Sequence, residues 1–285
     1  MTIDSIDKKV KQPSKLNIFQ IYYDKTTRKT LQSRFKPLDN TRNLRPDWAE
    51  YWPIRQYFID NDVEENDWYG FLSPKFAEKT GLTDIRTFEF LNQHKEDYEV
   101  ITFSPFWTYT AFYKNPFEQG NIFHPQLLDI TQRFINTIGG HFNINDLVTH
   151  SQNTVWCNYI IAKPRFWLRW FSVANALFEI AEDPVHELYT ALNASTTHRS
   201  NDSLSMKVFI MERLATLLLA IEPWHVKAFD TFKLPAASST RSYESLRNEL
   251  IICDALKYMY STTGNQIYLD TFIHQRTAID QALKK

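Results

Sequence analysis

Four short apolar runs, each cut off by a polar residue or a proline, constrain this chain more than any other feature of it. Residues 17–23 read NIFQIYY and stop at Asp24-Lys25-Thr26-Thr27. Residues 67–72 (DWYGFL) stop at Ser73-Pro74, 98–103 (YEVITF) at Ser104-Pro105, and 155–162 (VWCNYIIA) at Lys163-Pro164. Runs this short and this continuously apolar are expected of strands buried on both faces of a parallel sheet. Between them the period changes. Residues 52–60, with Pro53 in the first turn, read as a helix. So do 83–94, behind a Thr83 N-cap with Ile85, Phe88 and Leu91 at helical spacing, and 125–138, which closes on Gly139-Gly140.

From Pro164 onward the pattern is mostly helical, over about 164–181, 184–192, 206–221, 242–260 and 266–283. Strands alternating with helices, then helices alone, predict an α/β fold: a mostly parallel sheet flanked by helices, with a mostly helical C-terminal portion. The expected divisions are a flexible N-terminus at 1–15, the α/β domain at 16–235 and a packed helical extension at 236–285. The small polar stretch 236–242 marks the boundary.

The totals narrow the function. With 43% hydrophobic residues, 285 residues can build a large core, burying roughly three quarters of the unfolded chain's surface. Disorder is excluded. Thirty-two Lys+Arg against 33 Asp+Glu leave a net charge of -1, so no basic face exists to track nucleic acid. Cys157 and Cys253 are the only cysteines, which is no disulfide framework and fits a reducing cytoplasm. Residues 1–15 lack the apolar core of a signal peptide. The most apolar window, 208–221, is too short to span a bilayer and carries Glu212 and Arg213.

The expected location is therefore cytoplasmic, at most against the inner face of the membrane. Lys8, Lys9 and Lys11, with Tyr268, Phe272, Ile279 and Leu283 on one side of the last helix, would permit weak peripheral contact there. Packing of that stripe on its own domain is the favoured reading. Most of the aromatics, 15% of the chain, are likewise expected to fill the core. Only six glycines occur, and no GxGxxG, HExxH, GxSxG or Walker A pattern is present, which removes the usual support for dinucleotide, zinc, hydrolase and P-loop chemistry.

In an open parallel sheet, ligands bind beyond the carboxyl ends of the strands. That rule selects Tyr22, Tyr23, Asp24 and Thr26 after the first strand and Lys75 after the second, residue types suited to a base, a ribose and a diphosphate. Ordinary strand-end punctuation is the competing reading for each. Arg42 and Arg45 precede a helix and could cradle a diphosphate, against a solvated charged loop as the alternative. Asp60-Asn61-Asp62 has the form of a metal-binding Asp-x-Asp, but its place before the second strand reads as a solvated acidic connector. Glu212 and Arg213 sit in an apolar helix and are expected to be partly buried, as an ion pair or as the wall of a site. A carboxylate so placed could act as a general base.

Taken in order, NIFQIYYD, WPIR, YGFLSPKF with EKTGL, VITFSPF, CNYIIAKPRFW and FIMERLATLLL resemble the glycosyltransferase-like proteins of bacterial capsule and lipopolysaccharide gene clusters, relatives of the GT-A nucleotide-sugar fold. The resemblance covers most of residues 17–222. Where those relatives carry a His-Tyr-Arg-Arg run after the second strand, this chain has Ser73-Pro74-Lys75-Phe76, so the role falls to Lys75. Asn158, Ile161 and Lys163 match an Asn-x-x-Ile-x-Lys pattern, and Glu212, Arg213 and Leu214 match Glu-Arg-Leu. No Asp-x-Asp follows the third strand.

The resemblance implies transfer of a sugar from a nucleotide-sugar donor to a surface-polysaccharide acceptor, a glycan or lipid-linked glycan. Tyr22, Tyr23, Asp24, Thr26, Arg42, Arg45 and Lys75 would surround the donor, with Asn158 facing the sugar or acceptor. Glu212 would be the base, and a divalent cation such as manganese or magnesium the cofactor. The alternatives are a non-catalytic glycan- or nucleotide-binding scaffold of the same pathway, and a helical interaction module on a structural α/β core.

Overall fold

The computed structural model describes residues 14–199, 202–236 and 238–284. Lys8, Lys9, Lys11 and nearly all of the N-terminal segment expected to be flexible lie outside the described residues. Among the described residues eight strands are formed: β1 (Leu16–Tyr22), β2 (Lys36–Asp39), β3 (Trp68–Leu72), β4 (Val100–Thr102), β5 (Ile160–Ala162), β6 (Ser195–Arg199), β7 (Asp202–Ser205) and β8 (Val226–Ala228). The helices of the first half are α1 (Lys25–Lys29), α2 (Tyr51–Asp60), α3 (Phe76–Thr80), α4 (Asp84–His94), α5 (Trp107–Phe112), α6 (Pro116–Phe123) and α7 (Leu127–Thr137). Those of the second half are α8 (Pro164–Glu182), α9 (Tyr189–Asn193), α10 (Met206–Met211), α11 (Leu214–Ile221), α12 (Arg247–Thr263) and α13 (Gln266–Leu283).

Six strands make one sheet in the order β2-β1-β3-β5-β4-β8, and β6 pairs with β7 as a separate hairpin. β1 is parallel to β2 and β3, and β4 is parallel to β8, whereas β5 runs antiparallel between β3 and β4. The mostly parallel α/β architecture is thus as expected. Side chains alternate across a strand, and here both faces are dry. Phe19, Ile21, Tyr69, Phe71, Val100 and Ile160 join one core with α2, α7, α8, α10 and α11. Their neighbours Ile18, Trp68, Leu72, Ile101 and Ile161 join the other, with Phe76 of α3 and Leu91 of α4. A third cluster joins Trp107 and Ala111 of α5 to Leu250, Cys253, Phe272 and Ile279. The stripe on the last helix therefore packs on its own domain. No helix among the described residues is long and apolar enough to cross a membrane.

Several boundaries differ from the expected ones, each for a physical reason. The apolar run 155–162 is a strand only at Ile160–Ala162. Ahead of it, hydroxyls take the place of a ladder partner: Val155 N donates to Thr216 Oγ1 (2.9 Å) and Trp156 N to Ser104 Oγ (3.0 Å). The expected helix 206–221 is two helices, broken at Glu212-Arg213. Arg213 is buried, but instead of pairing with Glu212 it donates to the carbonyls of Pro116 (2.9 Å) and Phe209 (2.7 Å) and to Gln119 Oε1 (3.0 Å). Its guanidinium lies against Gly120, where a Cβ would stand 2.8 Å from Nε.

Candidate functional site

The strand order reverses beside β1: β2 lies on one side of it and β3 on the other. A crevice at the carboxyl ends of β1 and β3 follows from that reversal. Because β5 is antiparallel, the residues that precede it, Trp156 to Tyr159, arrive at the same edge. Tyr159 O accepts from Phe103 N (2.9 Å), and its hydroxyl meets Ser73 Oγ at 2.6 Å, which joins the ends of β3, β4 and β5.

A cavity of about 260 Å3 opens there, lined by Ile21 and Tyr23 from the end of β1, Asn40 and Asn43 from the turn after β2, and by Glu50 and Pro74. Glu50 is half-buried, and burial lifts its carboxyl to about 7, with Lys79 opposing and Glu212 adding to the rise. Lys79 donates to Cys157 Sγ at 3.1 Å. Burial works to lower its ammonium, but Cys157 and the carboxylates of Glu50 and Glu212 outweigh this and raise it. Burial pushes the Cys157 thiol up to about 12, so it stays protonated. Two carboxylates, one ammonium and a neutral thiol thus lie within electrostatic reach of one another, and Glu50 lines the cavity.

Backbone strain concentrates at the same place. Cys157 (φ 61°) and Asn158 (φ 53°) are consecutive left-handed residues, and Ala49, just before Glu50, has φ 46° and ψ -131°. Non-glycine residues hold such angles only where their surroundings enforce them. For Ala49 the enforcement is visible. Lys207, almost fully buried on α10, pairs with Asp47 (2.8 Å) and Glu182 (3.5 Å), and Arg45 bridges the same two carboxylates at 2.8 and 2.6 Å. Trp48 Nε1 also donates to Glu182 (3.0 Å). The hydrogen bond from Arg45 holds Asp47 down at about 2. This clamp of α8 and α10 on the 45–48 turn aims Glu50 into the crevice.

The residues selected from sequence divide accordingly. Tyr23 lines the cavity, and Asn158 is buried in the turn before β5, with no hydrogen-bond partner for Oδ1 among the described residues. Glu212, expected to be partly buried, is exposed at the break between α10 and α11, and its charge is felt by Glu50, Lys79 and Cys157. Tyr22 is buried, and its hydroxyl bonds Asp39. Asp24 caps α1, accepting from Thr27 N at 2.6 Å, while Thr26 is exposed on that helix. Arg45 is engaged by Asp47 and Glu182, so Arg42 and Arg45 form no paired diphosphate cradle; Arg42 lines a neighbouring groove. Lys75 precedes α3 without a capping bond, and the cation brought to Cys157 is Lys79, one turn later. Asp60 and Asp62 are exposed, as a solvated connector would be.

Glu50, Lys79 and Cys157 escaped the sequence reading because each is a single residue that only the tertiary fold brings to the opening. The divalent cation implied by the resemblance finds no fitting donor set. Among the described residues no three His, Cys, Asp or Glu side chains cluster as metal ligands, and the groups within electrostatic reach of Glu50 include the Lys79 ammonium. No family model matches the chain, and no curated protein or solved structure matches it.

Proposed function

We propose that the protein is a glycosyltransferase of GT-A-like fold, moving a sugar from a nucleotide-sugar donor to a surface-polysaccharide acceptor. The observation that carries this reading is the cavity at the switch point of a mostly parallel sheet, lined by Tyr23, Asn40 and Glu50, with Lys79 and Glu212 within electrostatic reach of Glu50. Tyr23 and Asn40 take the nucleoside end of the donor, and Lys79 faces the diphosphate. Glu50 carries its proton near neutrality, so it can lie beside that anion as a hydrogen-bond donor without repelling it. Asn158 offers its unpartnered Oδ1 to a sugar hydroxyl.

In the transfer, Glu212 accepts the proton of the acceptor hydroxyl as the oxygen bonds to the anomeric carbon. The bond from that carbon to the diphosphate breaks, its electron pair leaves with the phosphate oxygen, and Lys79 stabilises the charge that develops.

A thermal-shift panel of UDP-, GDP-, CMP- and dTDP-sugars, each with and without manganese, tests the reading. One nucleotide class should stabilise the fold, by about 2.7 kcal/mol at a hundredfold excess over its dissociation constant. A flat panel on folded protein would reject it. One observation favours a second reading, a donor-binding scaffold without turnover: the ion network withdraws Arg45 from the crevice and leaves it few cations. Binding without transfer to any acceptor would select that reading.

A further inference from the structure

Beside the donor crevice lies a larger groove of about 470 Å3, between the turn that follows β2 and the outer side of α2. Its volume falls in the range of about 300–1,000 Å3 that holds small organic ligands. Its helix wall runs from Trp52 to Asn61, about 14 Å at 1.5 Å per residue, so the groove is elongated. β2 is the edge strand, and among the described residues no further strand closes this side of the sheet.

The lining combines two kinds of surface. Trp52 and Tyr57 are part-exposed and held from behind: Tyr57 lies 4.6 Å from the Phe19 ring, and Trp52 packs on Phe178 at 6.2 Å with Arg55 over its ring. Rings fixed in this way present apolar contact area at little entropic cost. Around them stand Arg42, Gln56, Asp60 and Asn61, planar groups that can bond two neighbouring hydroxyls at once. Asp39 is set in advance, accepting from Thr41 N (2.8 Å) and from the Tyr22 hydroxyl, bonds that hold its carboxyl below the usual range.

Asp39 and Asp60 outnumber Arg42, so the groove is a poor host for a polyphosphate. Apolar ring faces edged by planar hydrogen-bonding groups suit a neutral sugar chain. Asn40 and Asn43 line both the groove and the donor cavity, so a chain lying in the groove ends next to the crevice.

We infer that this groove binds a neutral oligosaccharide and presents its end to the crevice as the acceptor. The inference rests on the transferase reading for its role, but the binding can be measured without it.

The probes are neutral tri- and tetrasaccharides of the α-glucan, β-glucan, galactan and chito-oligosaccharide classes, titrated into the full chain while tryptophan fluorescence is followed. One class should give a saturable change. Asp60→Ala and Gln56→Ala, both outside the core, should each weaken it about tenfold, the loss of one good hydrogen bond. The nucleotide-sugar thermal shift should be unaffected in both variants. No binding by any class, or binding that ignores both substitutions, overturns the inference. So does protection of the groove by a nucleotide alone, which would make it the base pocket. A nucleotide shift without oligosaccharide binding removes the groove and leaves the transferase standing. Oligosaccharide binding with a flat nucleotide panel does the reverse.

Discussion

Two regions of this molecule bury charge, and they handle it differently. Beneath the hairpin of α12 and α13, Lys257 donates to the carbonyls of Thr110 and Tyr113, Asp254 accepts from Ser151 N (2.8 Å), and His150 meets the Tyr258 ring edge-on. These bonds tie the hairpin to the end of α5 and to the loop before β5. Around the crevice, Glu50, Lys79 and Glu212 instead lie within electrostatic reach of one another, Asn158 Oδ1 has no partner among the described residues, and Ala49, Cys157 and Asn158 hold positive φ. A buried charge with its bonds complete joins elements together. Charges gathered together on strained backbone, with their bonds incomplete, cost stability instead.

If that contrast is right, substitutions in the two regions should move different observables. Glu212→Gln should cut sugar transfer by about a thousandfold and leave the melting temperature and donor binding near those of the parent. On the proposed transferase reading, Lys79→Met should weaken donor binding as well as turnover, because the diphosphate would lose its cation. Full activity in folded Glu212→Gln would remove the assignment of the base. Lys257→Ala should do the opposite. It orphans two carbonyls and leaves Asp254 buried without its cation, a loss of about 3 kcal/mol in denaturant unfolding with nucleotide affinity retained.

The pH dependence of stability separates the regions by sign. Burial raises Glu50 to about 7, so between about pH 4.5 and 7 the folded state holds more protons than the unfolded one, and stability falls as pH rises. Burial, with Lys257 adding to it, lowers His150 to about 4. Between about pH 4 and 6.5 the unfolded state therefore holds the extra proton, and stability rises with pH. The two slopes oppose each other in the parent protein. Glu50→Gln should remove the fall, worth on the order of 3 kcal/mol, and His150→Gln should remove the rise. Parallel curves for the parent and Glu50→Gln would show that Glu50 is not held as a neutral acid.

The same contrast explains what could be read from the chain. The apolar runs announced β1, β3 and β4, because strands dry on both faces are apolar at most positions, with buried Asn17, Gln20 and Thr102 the exceptions. β2 (KPLD) and β8 (VKA) carry no such signal, being short edge strands with solvent on one side. The direction of β5 is not written in its composition, since Ile160–Ala162 would suit either orientation. For the candidate site, the rule of strand ends selected Tyr23, which lines the cavity, whereas Glu212, expected to be partly buried, is exposed. Glu50 and Lys79 were silent because the clamp on the 45–48 turn and the approach of α3 are tertiary facts. Asp24 and Arg45 were read as ligands because a cap, an ion pair and a binding residue use the same polar side chains.

The smallest effect tests whether Arg213 is as fully tied as the contrast requires. Gly120 lies within α6, where alanine is ordinarily better by about 1 kcal/mol. A Cβ there would stand 2.8 Å from Nε and 2.9 Å from Cζ of Arg213. A flexible guanidinium could swing aside at little cost, and Gly120→Ala would then stabilise the protein. Arg213 cannot swing freely, because three acceptors hold it and burial has already lowered it to about 10. Overpacking of about 1–3 kcal/mol should therefore outweigh the helical gain and leave a net loss of about 1 kcal/mol. Arg213→Met combined with Gly120→Ala should recover the helical gain, since the clash is gone. A stabilised single variant would mean that the Arg213 bonds are dispensable, and the line between joined and open charges would have to be drawn elsewhere.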